Sequence, residues 1–358
     1  MPDKKKICMI VPEPSVQGGI ASVCSGYYDS ALTRDYDVVF LESYCDGSKL
    51  KKLWKALGCY VRFLRLLRRN PPDLVHIHSS FGPSFFRKLP ILKLAGRRGI
   101  PVVNHIHGSD LKGLYYSRGP QRRALVRRTY EACDRLVVLS EHWRKEIQRI
   151  APRADIRVIG NYAVIHPEAL EESRMKERFA SKQILFLGML TPAKGSDTFV
   201  PVIRAVLRDV PDARFVFAGA GEPAAFLNAL TQKERGQVSF PGWIRGAQKE
   251  KALAESAIFF FPSQMEAFPM AVLEAMGSGL PVVTTRTGGI PDIVPDASAG
   301  TLTEVGDADA MASALTALLT DRALWERQSR SSLAAARERF SLEKHLKQLE
   351  ALYEEVLR

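Results

Sequence analysis

Short apolar runs rich in β-branched residues punctuate the chain from end to end, each separated from the next by a longer stretch with helical spacing. In the first half they are KICMIV (6–11), DVVFL (37–41), LVHIH (74–78), VVNHIH (102–107), RLVVLS (135–140) and IRVIG (156–160). In the second half they are ILFLG (184–188), RFVFAG (214–219), VSFPG (238–242), AIFFFP (257–262), PVVTT (281–285) and GTLT (300–303). Runs this short and this continuously apolar read as buried parallel strands, with the helical stretches as their crossovers. Six and then six predict two doubly wound sheets in series, an α/β class, with a boundary between Asn161 and Gln183. The length agrees, because a single core stops growing near about 250–300 residues and this chain has 358. We therefore expect domains at 1–165 and 166–340. The last segment, 341–358, should form a helix with Leu342, Leu346, Leu349 and Leu352 along one side, able to pack back on the first domain.

Composition excludes several classes. With 46% hydrophobic and 25% charged residues, disorder, collagen and coiled coil are set aside. No run approaches the roughly 18 apolar residues of a membrane span, and the start has no signal-peptide core, so a cytoplasmic protein is expected. Five scattered cysteines show no CxxC or Cys/His ligand spacing, which predicts reduced, buried thiols and no structural zinc. The net charge of +12 is unevenly placed: residues 1–160 hold 29 Lys/Arg against 14 Asp/Glu, whereas 161–358 hold 22 against 25. Such asymmetry points the first domain at something anionic.

Ligands of open α/β sheets bind beyond the carboxyl ends of strands, so chemistry is sought in the loops there. The densest segment is AIFFFPSQMEAFPMAVLEAMGSGLPVVTT, where a strand runs through Glu266 into a helix expected to begin near Pro269. The free amides of Met270 and Ala271, with the helix dipole, can take a phosphate. Glu274, inside that helix, can accept two hydrogen bonds from a vicinal diol such as ribose. After ILFL come Gly188 and Lys194, the latter near a helix start where it could neutralise a diphosphate; a solvated surface lysine is the alternative. Gly18 and Gly19 precede a helix after the first strand and would let the backbone approach a phosphate or sugar, or serve turn geometry alone. His107 closes the fourth strand on the same face as His105, and a two-residue histidine spacing does not by itself make a metal site.

Taken in order, these segments resemble the retaining family 4 glycosyltransferases of the GT-B fold over nearly the whole chain. The carrying motif is the E-x7-E pair Glu266 and Glu274 followed by GSGLPVV and TGGIPDIV; GGIASV, the HG after the fourth strand, VVLSE, LTPAKG and FVFAGAGE agree. The resemblance implies two Rossmann-like domains facing across a cleft, with the acceptor on the first and the nucleotide-sugar donor on the second. It places Glu274 at the ribose, Lys194 at the diphosphate, and Glu266 with the amides of Phe268, Met270 and Ala271 at the donor sugar and phosphate. His107 falls at the transferred sugar and Gly18 and Gly19 near the diphosphate, with Gly188 in the donor loop. It further implies a UDP- or GDP-sugar donor, no cofactor, no metal, retention of anomeric configuration and a lipid-linked or other glycan acceptor. One position departs from the pattern. Where family members commonly carry Arg, this chain has Met189, which cannot stabilise a departing diphosphate; Arg245 and Arg286 are the candidate substitutes by loop position. A GT-B sugar-nucleotide epimerase, or a noncatalytic protein binding nucleic acid or membrane, are the competing readings.

The segment Ser48–Asn70 carries eight Lys/Arg and no acidic residue. Leu50, Leu53, Trp54, Leu57, Val61 and Leu64 recur at helical spacing. This stripe either packs on the first sheet or rests on an anionic membrane; the second reading, with no nucleic-acid partner, places the protein peripherally on the inner face of the cell membrane.

Overall fold

The computed structural model describes residues 4–358 apart from Ser109, Pro295 and the side chain of Ala225. They form two compact units, Met1–Asn161 with Leu342–Arg358, and Tyr162–Ser341, so the division falls after Asn161 rather than after residue 165. The final helix, Leu342–Val356, belongs to the first unit and buries Leu346, Leu349, Leu352, His345 and Tyr353.

The first unit's strands are β1 (Lys6–Val11), β2 (Asp37–Glu42), β3 (Leu74–Ser79), β4 (Val102–Ile106), β5 (Arg135–Val138) and β6 (Ile156–Val158). The second unit's are β7 (Gln183–Leu187), β8 (Arg214–Ala218), β9 (Val238–Gly242), β10 (Ile258–Phe261), β11 (Val282–Thr285) and β12 (Thr301–Thr303). Every apolar run of the sequence is a strand, and all pairings are parallel. Helices cover both faces of each sheet, so β3, β4, β10 and β11 are buried along their whole length, whereas the edge strands β2 and β9 are only part-buried.

The strand orders are β2-β1-β3-β4-β5-β6 and β12-β11-β10-β7-β8-β9. In each sheet the chain winds outward from one inner strand and returns to build the other half. The winding direction therefore reverses between β1 and β3 in the first unit and between β7 and β10 in the second. These switch points are where adjacent loops diverge and leave a crevice for a ligand.

One sequence-based expectation is redistributed. The helix Lys49–Arg69, which also buries Ala56, packs on the first sheet through Cys59, Phe63 and Leu67, which join a core with Cys8, Ile10, Val75 and Ile77. The stripe read from the sequence lies elsewhere on the helix and is uncovered: Leu50, Leu53, Trp54, Leu57 and Val61 are 63%, 55%, 66%, 41% and 47% exposed. The covered face is carried by Cys59, Phe63 and Leu67, a contact that a hydrophobicity pattern dominated by Leu and Trp conceals. All five cysteines are free and buried.

Candidate functional site

The second unit gathers its polar groups at the β7/β10 switch point. The loop after β7 turns through Gly195, whose φ of +81° only glycine adopts without strain, and a Cβ there would stand 2.1 Å from the Pro262 carbonyl oxygen. That close approach holds Lys194 beside the loop after β10. Lys194 Nζ pairs with Glu266 Oε1, and Ser263 Oγ donates to the same carboxylate oxygen at 2.8 Å and lies 3.1 Å from the Ala193 carbonyl. From the other side Thr285 donates to the Ser263 carbonyl and Thr287 to that of Gln264 at 3.0 Å. Gly288, at φ +53°, lies so near that a Cβ would sit 1.8 Å from the Glu266 carbonyl oxygen. Glu266, with its side chain 9% exposed, is thus fixed by loops after three strands.

Beyond it the chain enters the helix Met270–Gly277. Pro269 is its N-cap rather than its first helical residue, and no side chain caps the first turn. The amides of Met270 and Ala271 have no intrahelical acceptor at that position, so they offer donors and a positive dipole end to an anion. Phe268, buried, stacks edge-on against Phe340 at 5.8 Å and sets the approach to the helix. Glu274 lies one turn further in, part-buried, with Oε1 held at 2.7 Å by Lys249 Nζ. Carboxylates at two depths, a lysine and a helix start suit a diphosphate flanked by a diol. Gly188 follows β7 where a Cβ would meet Phe186 at 3.0 Å, and a Cβ on Gly219 would meet the Gly188 carbonyl at 1.6 Å.

In the first unit, Gly18 is the N-cap of the helix Gly19–Ser25 at φ +134°, with open space where a Cβ would be. His107 follows β4, one residue past its end, and its ring stacks on His105 at 4.2 Å. Its Nε2 lies 2.9 Å from His78 Nδ1, and its amide donates to the Ser79 carbonyl at 2.8 Å. Gly108 is obligatory, since a Cβ would stand 2.6 Å from the Phe81 amide nitrogen. His107 is half-buried, and desolvation on its inner side, then the Lys88 ammonium and neighbouring histidines, hold its pKa well below the ordinary value. It is a neutral ring at physiological pH, able to donate or accept one hydrogen bond.

Several residues were not singled out from the sequence. Lys249 stands 25 residues from Glu274, with no local signal. His78 was visible only as part of LVHIH. Lys88 is fully buried, donates to the His78 carbonyl, and burial lowers its pKa to about 7. Met189 is 50% exposed, Arg286 is taken by Glu304 at 3.6 Å, and Arg245 is exposed. Among the described residues the metal-type grouping is His76, His78 and His105, with ring nitrogens within 4.8 Å of one another. It contains no carboxylate to balance a divalent charge, and the buried Lys88 beside His78 opposes a second cation.

Comparison with known proteins finds family matches in both units. Residues 22–162 match the family described as Glycosyltransferase Family 4, and residues 181–321 the family described as Glycosyl transferases group 1. N-acetyl-alpha-D-glucosaminyl L-malate synthase of Bacillus anthracis is 25% identical over 305 residues, covering 83% of this chain and 78% of that protein. UDP-Gal:alpha-D-GlcNAc-diphosphoundecaprenol alpha-1,3-galactosyltransferase of Escherichia coli is 26% identical over 338 residues, covering 87% and 82%. Sucrose-phosphate synthase from Thermosynechococcus elongatus superposes with a TM-score of 0.78 at 17% identity, over 98% of this chain and 99% of that one, which shows a common fold. With matched families spanning most of both units, the chain belongs to the family 4 glycosyltransferases and has the GT-B fold.

Proposed function

We propose that the protein is a retaining, metal-independent glycosyltransferase. It moves a hexosyl or N-acetylhexosaminyl group from a UDP- or GDP-sugar to a hydroxyl of a lipid-linked glycan in surface polysaccharide or glycoconjugate synthesis, at the inner face of the cell membrane. The observation that carries the reading is the Lys194–Glu266 pair at the β7/β10 switch point, followed directly in the chain by the uncapped start of the helix Met270–Gly277 that bears Glu274. Glu274 takes the ribose diol, Lys194 and the helix amides take the diphosphate, and Glu266 orients the sugar. Fixed positive groups that meet charge developing on the departing diphosphate do the work that a metal would otherwise do. The bond from the anomeric carbon to the diphosphate oxygen breaks on the face where the acceptor oxygen bonds, and the acceptor proton passes to the departing diphosphate. The first unit takes the acceptor. The Escherichia coli relative, named for a diphosphoundecaprenol substrate, supports the lipid-linked acceptor.

A thermal-shift screen with UDP, GDP, ADP and their sugars is the direct test. A nucleotide at about 100 times its Kd adds roughly 2.7 kcal/mol of stability to the native state, so UDP or GDP should raise the melting temperature and ADP should not. No response to any nucleoside diphosphate would remove the donor assignment. NMR of the product then reads the anomer, and inversion would overturn retention. Conversion of the donor without acceptor would instead identify a sugar-nucleotide epimerase.

A further inference from the structure

The helix Lys49–Arg69 has two apolar faces, and only one is used. Cys59, Phe63 and Leu67 pack into the core of the first unit, while Leu50, Leu53, Trp54, Leu57 and Val61 stand exposed in a continuous i, i+3, i+4, i+7 series. A helix that only serves its domain would carry polar residues on that second face. Every charged position of the helix is basic. Lys49, Lys51, Arg65, Arg68 and Arg69 are exposed and make no ion pair among the described residues, and no acidic residue interrupts Ser48–Asn70. Lys55, by contrast, is neutralised by Glu42 and Glu13, and Lys52 folds over the Tyr44 ring at 5.3 Å, so these two belong to the protein's own packing.

We propose that this uncovered stripe is a membrane-insertion surface, with Leu50, Leu53, Trp54, Leu57 and Val61 entering the headgroup–acyl boundary of an anionic bilayer while the unpaired basic residues meet its phosphates. The occupant follows from charge and shape. Apolar residues flanked by unbalanced positive charge on a rigidly held helix match an anionic interface, where both components gain at once. A second copy of the chain would bring the same positive charge against itself, and nucleic acid would leave five large apolar side chains wet. No helix of the described residues is long and apolar enough to cross a membrane, so the contact is made by a helix lying along the surface. The proposal deepens the lipid-linked acceptor reading and rests on it for its purpose, whereas the exposed stripe stands by itself.

The test is cosedimentation of the full chain with vesicles of neutral phosphatidylcholine, alone or with anionic phosphatidylglycerol, at low and high salt. Each basic residue near an anionic surface multiplies partitioning by roughly fivefold, so the wild type should bind anionic vesicles, bind neutral ones weakly, and be released as salt rises. The triple variant Leu53→Ser, Trp54→Ser, Leu57→Ser removes only exposed side chains and should lower binding at least about tenfold with an unchanged melting temperature. Lys49→Gln, Lys51→Gln, Arg65→Gln and Arg69→Gln together should lower it by roughly a hundredfold or more at low salt. Transfer to a soluble acceptor analogue should persist in both variants. Wild-type vesicle binding in the triple variant would overturn the insertion surface, as would dimerisation abolished by that variant or tighter binding to RNA than to anionic vesicles. Lost vesicle binding with intact soluble transfer supports the proposal. Absent transfer with intact vesicle binding would sink the glycosyltransfer reading alone.

Discussion

Glu274 and Lys249 come from helices 25 residues apart in sequence, yet their side chains meet at 2.7 Å in a part-buried setting. The ammonium takes Oε1 and restrains the rotamer of the carboxylate, so we propose Lys249 as a positioning residue for Glu274, the proposed diol-binding group. Glu274→Ala should lower kcat/KM by about 10-fold to 100-fold, as expected for charged hydrogen bonds of about 1.5–3 kcal/mol. Glu171→Ala, at an exposed pair with Arg174, should change little. Lys249→Ala should raise the donor KM several-fold with kcat nearly unchanged, and Lys249→Arg should restore most of it. Effects of the two sites that simply add would mean that the pair is not coupled. Lys194→Ala should weaken binding of the nucleoside diphosphate more than of the nucleoside. An unchanged preference between those ligands, measured by calorimetry, would leave Lys194 as no more than the partner of Glu266.

At the scale of elements, the strands were legible because short β-branched apolar runs mark strands covered by helices on both faces, even where β3 and β4 bury His76, His78, Asn104 and His105 among them. The E-x7-E segment was legible for a similar local reason: strand end, loop and helix start are contiguous. What the sequence concealed were choices between equivalent faces and partners distant in sequence. Periodicity locates an apolar stripe on Lys49–Arg69 but cannot say whether Leu53 and Trp54 or Cys59 and Phe63 face the sheet, and the smaller pair is the one covered. The fit of the loops is equally invisible in composition. Gly288 is indispensable because its backbone crosses within a Cβ radius of Glu266, whereas Gly306, also at positive φ (+84°), has open space around it. Gly288→Ala should therefore displace the Glu266 loop and weaken nucleotide binding at least about tenfold. Gly306→Ala should cost only about 1 kcal/mol of backbone strain and leave binding intact. Equal nucleotide affinity in the two variants, read by titration, would show that the loop yields without consequence.

Across the whole molecule, the last helix returns from the far end of the chain to complete the core of the first unit, and the contact it makes is polar. His345 Nδ1 lies 2.8 Å from the Gly160 carbonyl and Nε2 2.7 Å from the Tyr27 hydroxyl, while Tyr353 meets His76 Nδ1. With His78, His105 and His107, five of the seven histidines occupy this cluster. Burial strips them of water and disfavours their charged forms, holding His76 at about 3 and His345 at about 4. In the unfolded chain the same rings titrate near 6.5, so below that pH the unfolded state binds more protons and stability falls until the folded values are passed. Stability is therefore fully present above about pH 6.5 and is lost progressively as the pH drops toward 3. At pH 5 His76 and His345 should each cost about 2 kcal/mol, which in a unit of this size lowers the melting temperature by roughly 10 °C relative to pH 7.5. Carboxylates contribute little to that interval, because their ordinary titration lies lower. Removing the helix by truncation after Phe340 should destabilise the first unit at every pH, since it removes the buried Leu346, Leu349 and Leu352 and takes His345 from Tyr27 and Tyr353 from His76. A calorimetric melting temperature that stays level between pH 7.5 and 5 would show that the cluster is already hydrated or charged in the folded protein, and would overturn this account.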